Sequence, residues 1–124
     1  MRDIATQSDI HQIVQLFYEQ LLADERIAFI FTEISPIHLE DHLELLTTFW
    51  SQILLNTGGY THNMTQIHQD VHHKFPLTPE LFAIWLTHFE AAVQSLFIGE
   101  KSQLMIGQAR QLARILQIKL QASH

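Results

Sequence analysis

The sequence predicts an all-α protein of one domain, and three observations predict it. Apolar residues recur at helical spacing through most of the chain. No segment alternates apolar and polar residues over the length of a strand. Glycine and proline fall almost entirely between the periodic stretches, at Pro36, Gly58-Gly59, Pro76, Pro79 and Gly99, with only Gly107 inside one. A length of 124 residues fits one domain spanning residues 1–124 around one core.

The first helix is expected over 9–23, with Ser8 as N-cap. Ile13, Leu16, Phe17, Gln20 and Leu21 share one face, and Tyr18 lies at its border. A short helical turn is expected over 27–31. The second helix is predicted to start at Pro36, capped by Ser35, because proline at the first helical position gives up an N–H that has no partner there. Its stripe is Leu39, His42, Leu43, Leu46, Phe49, Trp50, Ile53 and Leu54, and Gly58-Gly59 is expected to stop it. A third helix covers 64–71. Thr78-Pro79-Glu80 starts a fourth, over 79–98, turning Leu81, Phe82, Trp85, Leu86, Phe89, Val93 and Phe97 inward. The last, over 101–120, is expected to bury Leu104, Met105, Leu112, Ile115, Leu116 and the stem of Lys119.

Composition narrows the function. A net charge of −6 with seven scattered Lys and Arg argues against a nucleic-acid surface. The absence of cysteine excludes disulfides, Cys-based metal sites, thiolate-ligated haem and covalent haem attachment through a CxxCH motif. The N-terminus lacks the apolar core of a signal peptide, and no apolar run approaches a membrane span, so the expected location is cytoplasmic. Nine histidines, four of them (His62, His68, His72, His73) within twelve positions, are the compositional hint of chemistry.

Four side chains carry that hint. Met64 and His68 stand at i and i+4, so the imidazole shares a face with an apolar side chain and suits a fifth haem ligand, although a satisfied core or surface histidine is the commoner meaning. His68 and His72 are also i and i+4, a spacing open to zinc or nickel. His42 interrupts an apolar stripe, and a buried imidazole needs a hydrogen-bond partner or a ligand. Tyr18 and Trp85 each combine an apolar body with one polar hydrogen that either meets water or lines a pocket.

The ordered set is more specific than its parts. Phe17-Tyr18-x-x-Leu21-Leu22-x-Asp24 is followed by Ile30-Phe31, by His42 ahead of Phe49-Trp50, and by Leu54-Leu55 and Tyr60. Met64-x-x-x-His68 and Phe82-x-x-Trp85-Leu86 with Phe89 complete it. In this the chain resembles the truncated haemoglobins of group III, across nearly its whole length. The resemblance implies a truncated globin-like two-over-two helical sandwich holding haem b. It puts His68 on the iron and Tyr18, His42 and Trp85 at the polar distal positions, with Leu46 also at the cofactor. The chain departs from the family pattern at His62-Asn63, where Gly and Pro are common, and at Ile84, where an arginine able to meet a haem propionate is common. Lys74, His72 or His73 is then expected to supply that contact.

The expected function is binding of O2, CO, NO or a similar small ligand at histidine-ligated iron in a polar distal pocket. One alternative is peroxide or nitric-oxide turnover with an external reductase, since the chain has no GxGxxG. A second is a non-haem helical interaction module, or a metal site at His62, His68 and His72.

Overall fold

A computed structural model describes residues 1–58 and 63–122, so Gly59, Tyr60 and His62 lie outside the described residues. Five α-helices are present among these, α1 (Gln7–Ala23), α2 (Leu39–Leu55), α3 (Met64–Lys74), α4 (Pro79–Leu96) and α5 (Glu100–Ala122), with a π-helical turn at Ile30–Ile34. No strand occurs among the described residues. The all-α expectation holds.

The ends of the helices differ from expectation for local reasons. Thr6, not Ser8, caps α1, because Asp9 closes a capping box: Asp9 N–H donates to Thr6 Oγ1 at 3.2 Å, and Thr6 N–H donates to an Asp9 carboxylate oxygen at 3.0 Å. The Arg2 guanidinium completes the cluster, 2.7 and 2.5 Å from the two carboxylate oxygens of Asp9. Pro36 does not open α2. The Ile37 N–H still donates back to the Phe31 carbonyl, so the chain belongs to the preceding π-turn until His38, the actual N-cap. Asn56, with φ 58°, ends α2 before the glycines, since asparagine tolerates the left-handed region. Three residues, His72, His73 and Lys74, extend α3 beyond the expected end.

At the α4–α5 corner the chain breaks early. Leu96 ends α4, and the Ile98 N–H donates to the Arg2 carbonyl, tying the corner to the N-terminus. Asp3 then caps α5 from a distance, accepting from the Lys101 and Ser102 N–H groups and the Ser102 hydroxyl at 2.8–3.0 Å. Gly99 is required here: φ is +144°, and a Cβ would collide with the Asp3 side chain.

α1 packs on α2 and on α4, α4 on α5, and α2 and α3 each reach α5. The main core joins α1, α2 and α4 around Phe17, Leu21, Trp50, Phe89 and Val93. A second, smaller cluster of Phe82, Ala113, Leu116 and Leu120 joins α4 to α5. On α5 the inward residues are Met105, Ile106, Ala109, Ala113, Leu116 and Leu120. Leu104 and Ile115, expected inside, are 45% and 40% exposed, and Lys119 is exposed too. The buried face of α5 is thus rotated from the one the apolar spacing suggested.

Candidate functional site

A cavity of about 180 Å³ lies between the two core clusters. That is roughly a dozen times the space one water needs. Its walls come from α1, α2, α3, α4 and α5, and from the π-turn through Ile30 and Phe31. Of the side chains expected at a cofactor, Tyr18, His42, Leu46, His68 and Trp85 all line it. His72 and Lys74 do not. The buried His72 accepts the Leu77 N–H on Nδ1 at 2.9 Å, tying the end of α3 to the next segment, and Lys74 is exposed in the last turn.

The helix faces explain the convergence. Phe17 and Tyr18 point inward from α1, and Tyr18 is fully packed, at 4% exposure, rather than a border residue. Phe31 meets its ring edge-on at 5.5 Å, and His42 meets it at 5.0 Å from α2. The Tyr18 hydroxyl and His42 Nε2 are 2.8 Å apart. Burial raises the Tyr18 pKa well above the ordinary phenol value, so the O–H is retained. Burial, and then the nearness of His68, lowers the His42 pKa, so this pair is neutral at pH 7. Two hydrogen-bond polarities are open to it. Either the phenol donates to a bare Nε2, or Nε2–H donates to the phenol oxygen and frees the phenol O–H for a ligand.

Trp85 stacks on Phe89 with centroids 5.4 Å apart and planes 8° apart, and Phe17 meets it edge-on at 5.5 Å. The aromatic packing fixes the indole plane. Its Nε1–H has no hydrogen-bond partner among the described residues.

His68 is the most informative of these groups. Its Nδ1 lies 2.8 Å from the Met64 carbonyl oxygen. A carbonyl can only accept, so Nδ1 carries the proton. Burial lowers the His68 pKa, the bond to Met64 opposing it in part, and the ring is neutral at pH 7. Nε2 then holds a free lone pair, the arrangement in which a histidine ligates a metal with its other nitrogen oriented by a carbonyl. Among the described residues no group of three His, Cys, Asp or Glu is placed to hold a metal ion, so the described part of the histidine cluster forms no such centre.

Several lining residues were expected in other roles or not at all. Ser35 follows the π-turn, and Leu112, Ala113 and Leu116 enter from α5. The i, i+4 spacing of Leu112 and Leu116 was a usable signal for a wall; a cavity and a packed core give the same pattern.

Over residues 2–117 the chain matches the bacterial-like globin family. It belongs to that family. Globins bind small ligands at haem, and an apolar cavity with one neutral imidazole and a few polar hydrogens has the chemistry such a group needs. The chain is 26% identical over 110 residues to a group 3 truncated hemoglobin of Campylobacter jejuni, covering 86% of this chain and 84% of that one. The crystal structure of a group III truncated hemoglobin from the same organism superposes with a TM-score of 0.85 at 26% identity, covering 97% and 95% of the two chains. The truncated globin architecture expected from the ordered motif set is therefore present. No helix among the described residues is long and apolar enough to cross a membrane.

Proposed function

We propose that the chain is a haem b globin that takes O2 or a similar diatomic ligand at iron ligated by His68, with Tyr18, His42 and Trp85 facing the ligand. One observation carries the reading: His68 lines an apolar cavity with Nδ1–H committed to Met64 and Nε2 unpartnered among the described residues. The lack of cysteine rules out thioether attachment of the haem. When bound, the haem iron supplies the Lewis-acid and redox centre for the ligand.

The protein's contribution is positioning and polarity. Met64 holds the His68 ring in one tautomer. Leu46, Phe82 and Leu116 line the cavity with apolar surface, lowering the local dielectric. There the Tyr18 O–H and Trp85 N–H stabilise partial negative charge on a ligand more strongly than in water. His42 sets which of these hydrogens is available, because the Tyr18 phenol donates to a ligand only while Nε2–H of His42 donates to the phenol. Lys74, exposed at the end of α3, is the proposed propionate partner, since the buried Ile84 offers no charge and His72 Nδ1 is occupied.

The test is an optical spectrum with added haem, ferric and then dithionite-reduced under CO, for the wild type and His68→Ala. A sharp Soret band that shifts under CO, and is lost or transformed in His68→Ala, supports the reading. A spectrum indifferent to His68 sinks the ligand assignment.

The Tyr18–His42 pair favours a second reading, peroxide or nitric-oxide turnover with a separate reductase, because a neutral imidazole beside a phenol can move a proton. Turnover that persists in Tyr18→Phe and fails in His42→Leu supports it, and unaltered turnover in both counts against it.

A further inference from the structure

The aromatic residues around Tyr18 form one connected array. Phe17 meets Tyr18 with centroids 5.1 Å apart and meets Trp85 at 5.5 Å. Phe89 lies 5.4 Å from Trp85 and 5.1 Å from Trp50, stacked in both cases. Both tryptophans of the chain are thereby joined to Tyr18 through ring contacts of 5.5 Å or less. Aromatic clusters are ordinary core packing. What packing alone does not call for is a base on the phenol at one end of the array.

Tyr18 is 4% exposed, so bulk water is not at hand to take its proton. Among the described residues the hydrogen-bond partner of its oxygen is His42 Nε2, at 2.8 Å. A buried phenol hydrogen without an acceptor costs free energy, whereas His42 is half-buried and can carry its own proton on Nδ1. The polarity in which the phenol donates to Nε2 therefore satisfies both rings, and it aims the phenol proton at a neutral imidazole. Loss of an electron from a phenol makes its O–H strongly acidic. In a dry site that loss is favourable only where the proton has somewhere to go, because a charge left unpaired there is costly.

We propose that Tyr18 and His42 form a redox pair, with Phe17, Phe89 and the two tryptophans as its electron path. Tyr18 gives one electron to an oxidant in the cavity, and in the same step its O–H proton passes to His42 Nε2. The products are a neutral phenoxyl radical, an imidazolium and the oxidant reduced by one electron. When an electron returns, the proton goes back from His42 and the phenol is restored. The oxidant rests on the peroxide reading above. Hydrogen peroxide takes two electrons and two protons to give two waters; Tyr18 supplies one electron, the separate reductase the other, and solvent the protons. The reductase's next electron then restores Tyr18.

Pulse radiolysis of the haem-free chain tests the pair without that reading. Tyr60→Phe leaves Tyr18 as the one tyrosine. Azide radical takes an electron from tryptophan and becomes azide ion, and Trp85 is half-exposed to it. The tryptophanyl absorption is expected to decay into the phenoxyl absorption at a rate independent of protein concentration. Adding Tyr18→Phe is expected to abolish the phenoxyl. His42→Gln keeps an acceptor for the phenol but is not a base, and His42→Leu keeps neither; each is expected to slow the transfer on the order of a hundredfold with helical circular dichroism unchanged. Absence of the phenoxyl, or an unaltered rate in both His42 variants, overturns the proposal. The haem-loaded chain, mixed with hydrogen peroxide and freeze-quenched, is expected to give a tyrosyl electron paramagnetic resonance signal that Tyr18→Phe removes. Azide-driven transfer without the peroxide signal sinks the peroxide reading and upholds the pair. Failure of the azide arm in a chain that binds haem sinks the pair alone.

Discussion

The two sides of the cavity are built by different means. α1 buries seven residues and packs against both α2 and α4. Its Tyr18 is held by Phe17, Phe31 and His42 at once. α3 buries only His72. Its apolar residues Met64, Ile67 and Val71 line the cavity with His68, and Ile67 is 41% exposed. A helix of 11 residues is marginal without tertiary packing, and packing requires atoms on the other side. The Tyr18 side is therefore pre-formed by protein alone, whereas the His68 side has its partner face turned toward whatever fills the cavity.

The largest expected effect breaks or confirms that contrast directly. Loading with haem is expected to raise amide-exchange protection in α3 by on the order of a hundredfold at a hundredfold excess over the dissociation constant. Protection in α1 should change far less below its own global limit. Equal gains in both helices would show that α3 is already docked in the empty chain. Next comes Tyr18→Phe, which keeps the ring and removes the hydrogen. Stopped-flow O2 dissociation is expected to quicken about five- to a hundredfold, the range for losing a hydrogen bond of roughly 1–3 kcal/mol. An unchanged rate would assign the donor role to Trp85, whose N–H has no partner among the described residues.

Much of this architecture was legible in the sequence, and the failures have physical causes. The helices and the inward faces of α1, α2 and α4 follow from spacing. The start of α1 was misread because Ser8 is a good cap by type, while Thr6 has Asp9 at the right distance to reciprocate. The start of α2 was misread because Pro36 favours both a helix start and the exit from a preceding turn, and the π-turn is set by backbone bonding from Ser35 and Ile37 that no single residue announces. On α5 two aliphatic rows exist, and hydrophobicity alone does not say which faces the core. His68 was legible by its spacing from Met64; the bond fixing its tautomer was not, because it goes to a backbone carbonyl. His72 was offered as a propionate contact in place of the arginine missing at Ile84; its bond from Leu77 N–H could not be foreseen, because it comes from the backbone.

That bond makes a third prediction, smaller than the first two. His72→Phe keeps the bulk and removes the acceptor for Leu77 N–H, and urea unfolding is expected to show a loss of about 1 kcal/mol. Because this residue supplies the one buried side chain of α3, the loss should be larger without haem than with it. A loss independent of loading would mean that α3 unfolds only with the whole molecule.

A last effect, read as a pH dependence, probes the α1 side through its far end. The Arg2 guanidinium, with the Ala5 and Thr6 N–H groups, holds the Asp9 carboxyl well below the usual carboxylate range. A depressed folded pKa means the unfolded chain binds the proton first. The stabilisation is therefore complete above about pH 4, the unfolded value, and is lost as the pH falls toward the folded one. Asp9→Asn is expected to lower stability at pH 7 by about 1–2 kcal/mol, as a lost cap does, and to flatten the decline of melting temperature below pH 4. If the acid decline is unchanged, the brace at Asp9 contributes nothing that the apolar face of α1 does not already supply. The contrast between the two sides of the cavity then reduces to buried apolar surface alone, with α1 rich in it and α3 holding its share in reserve for the cofactor.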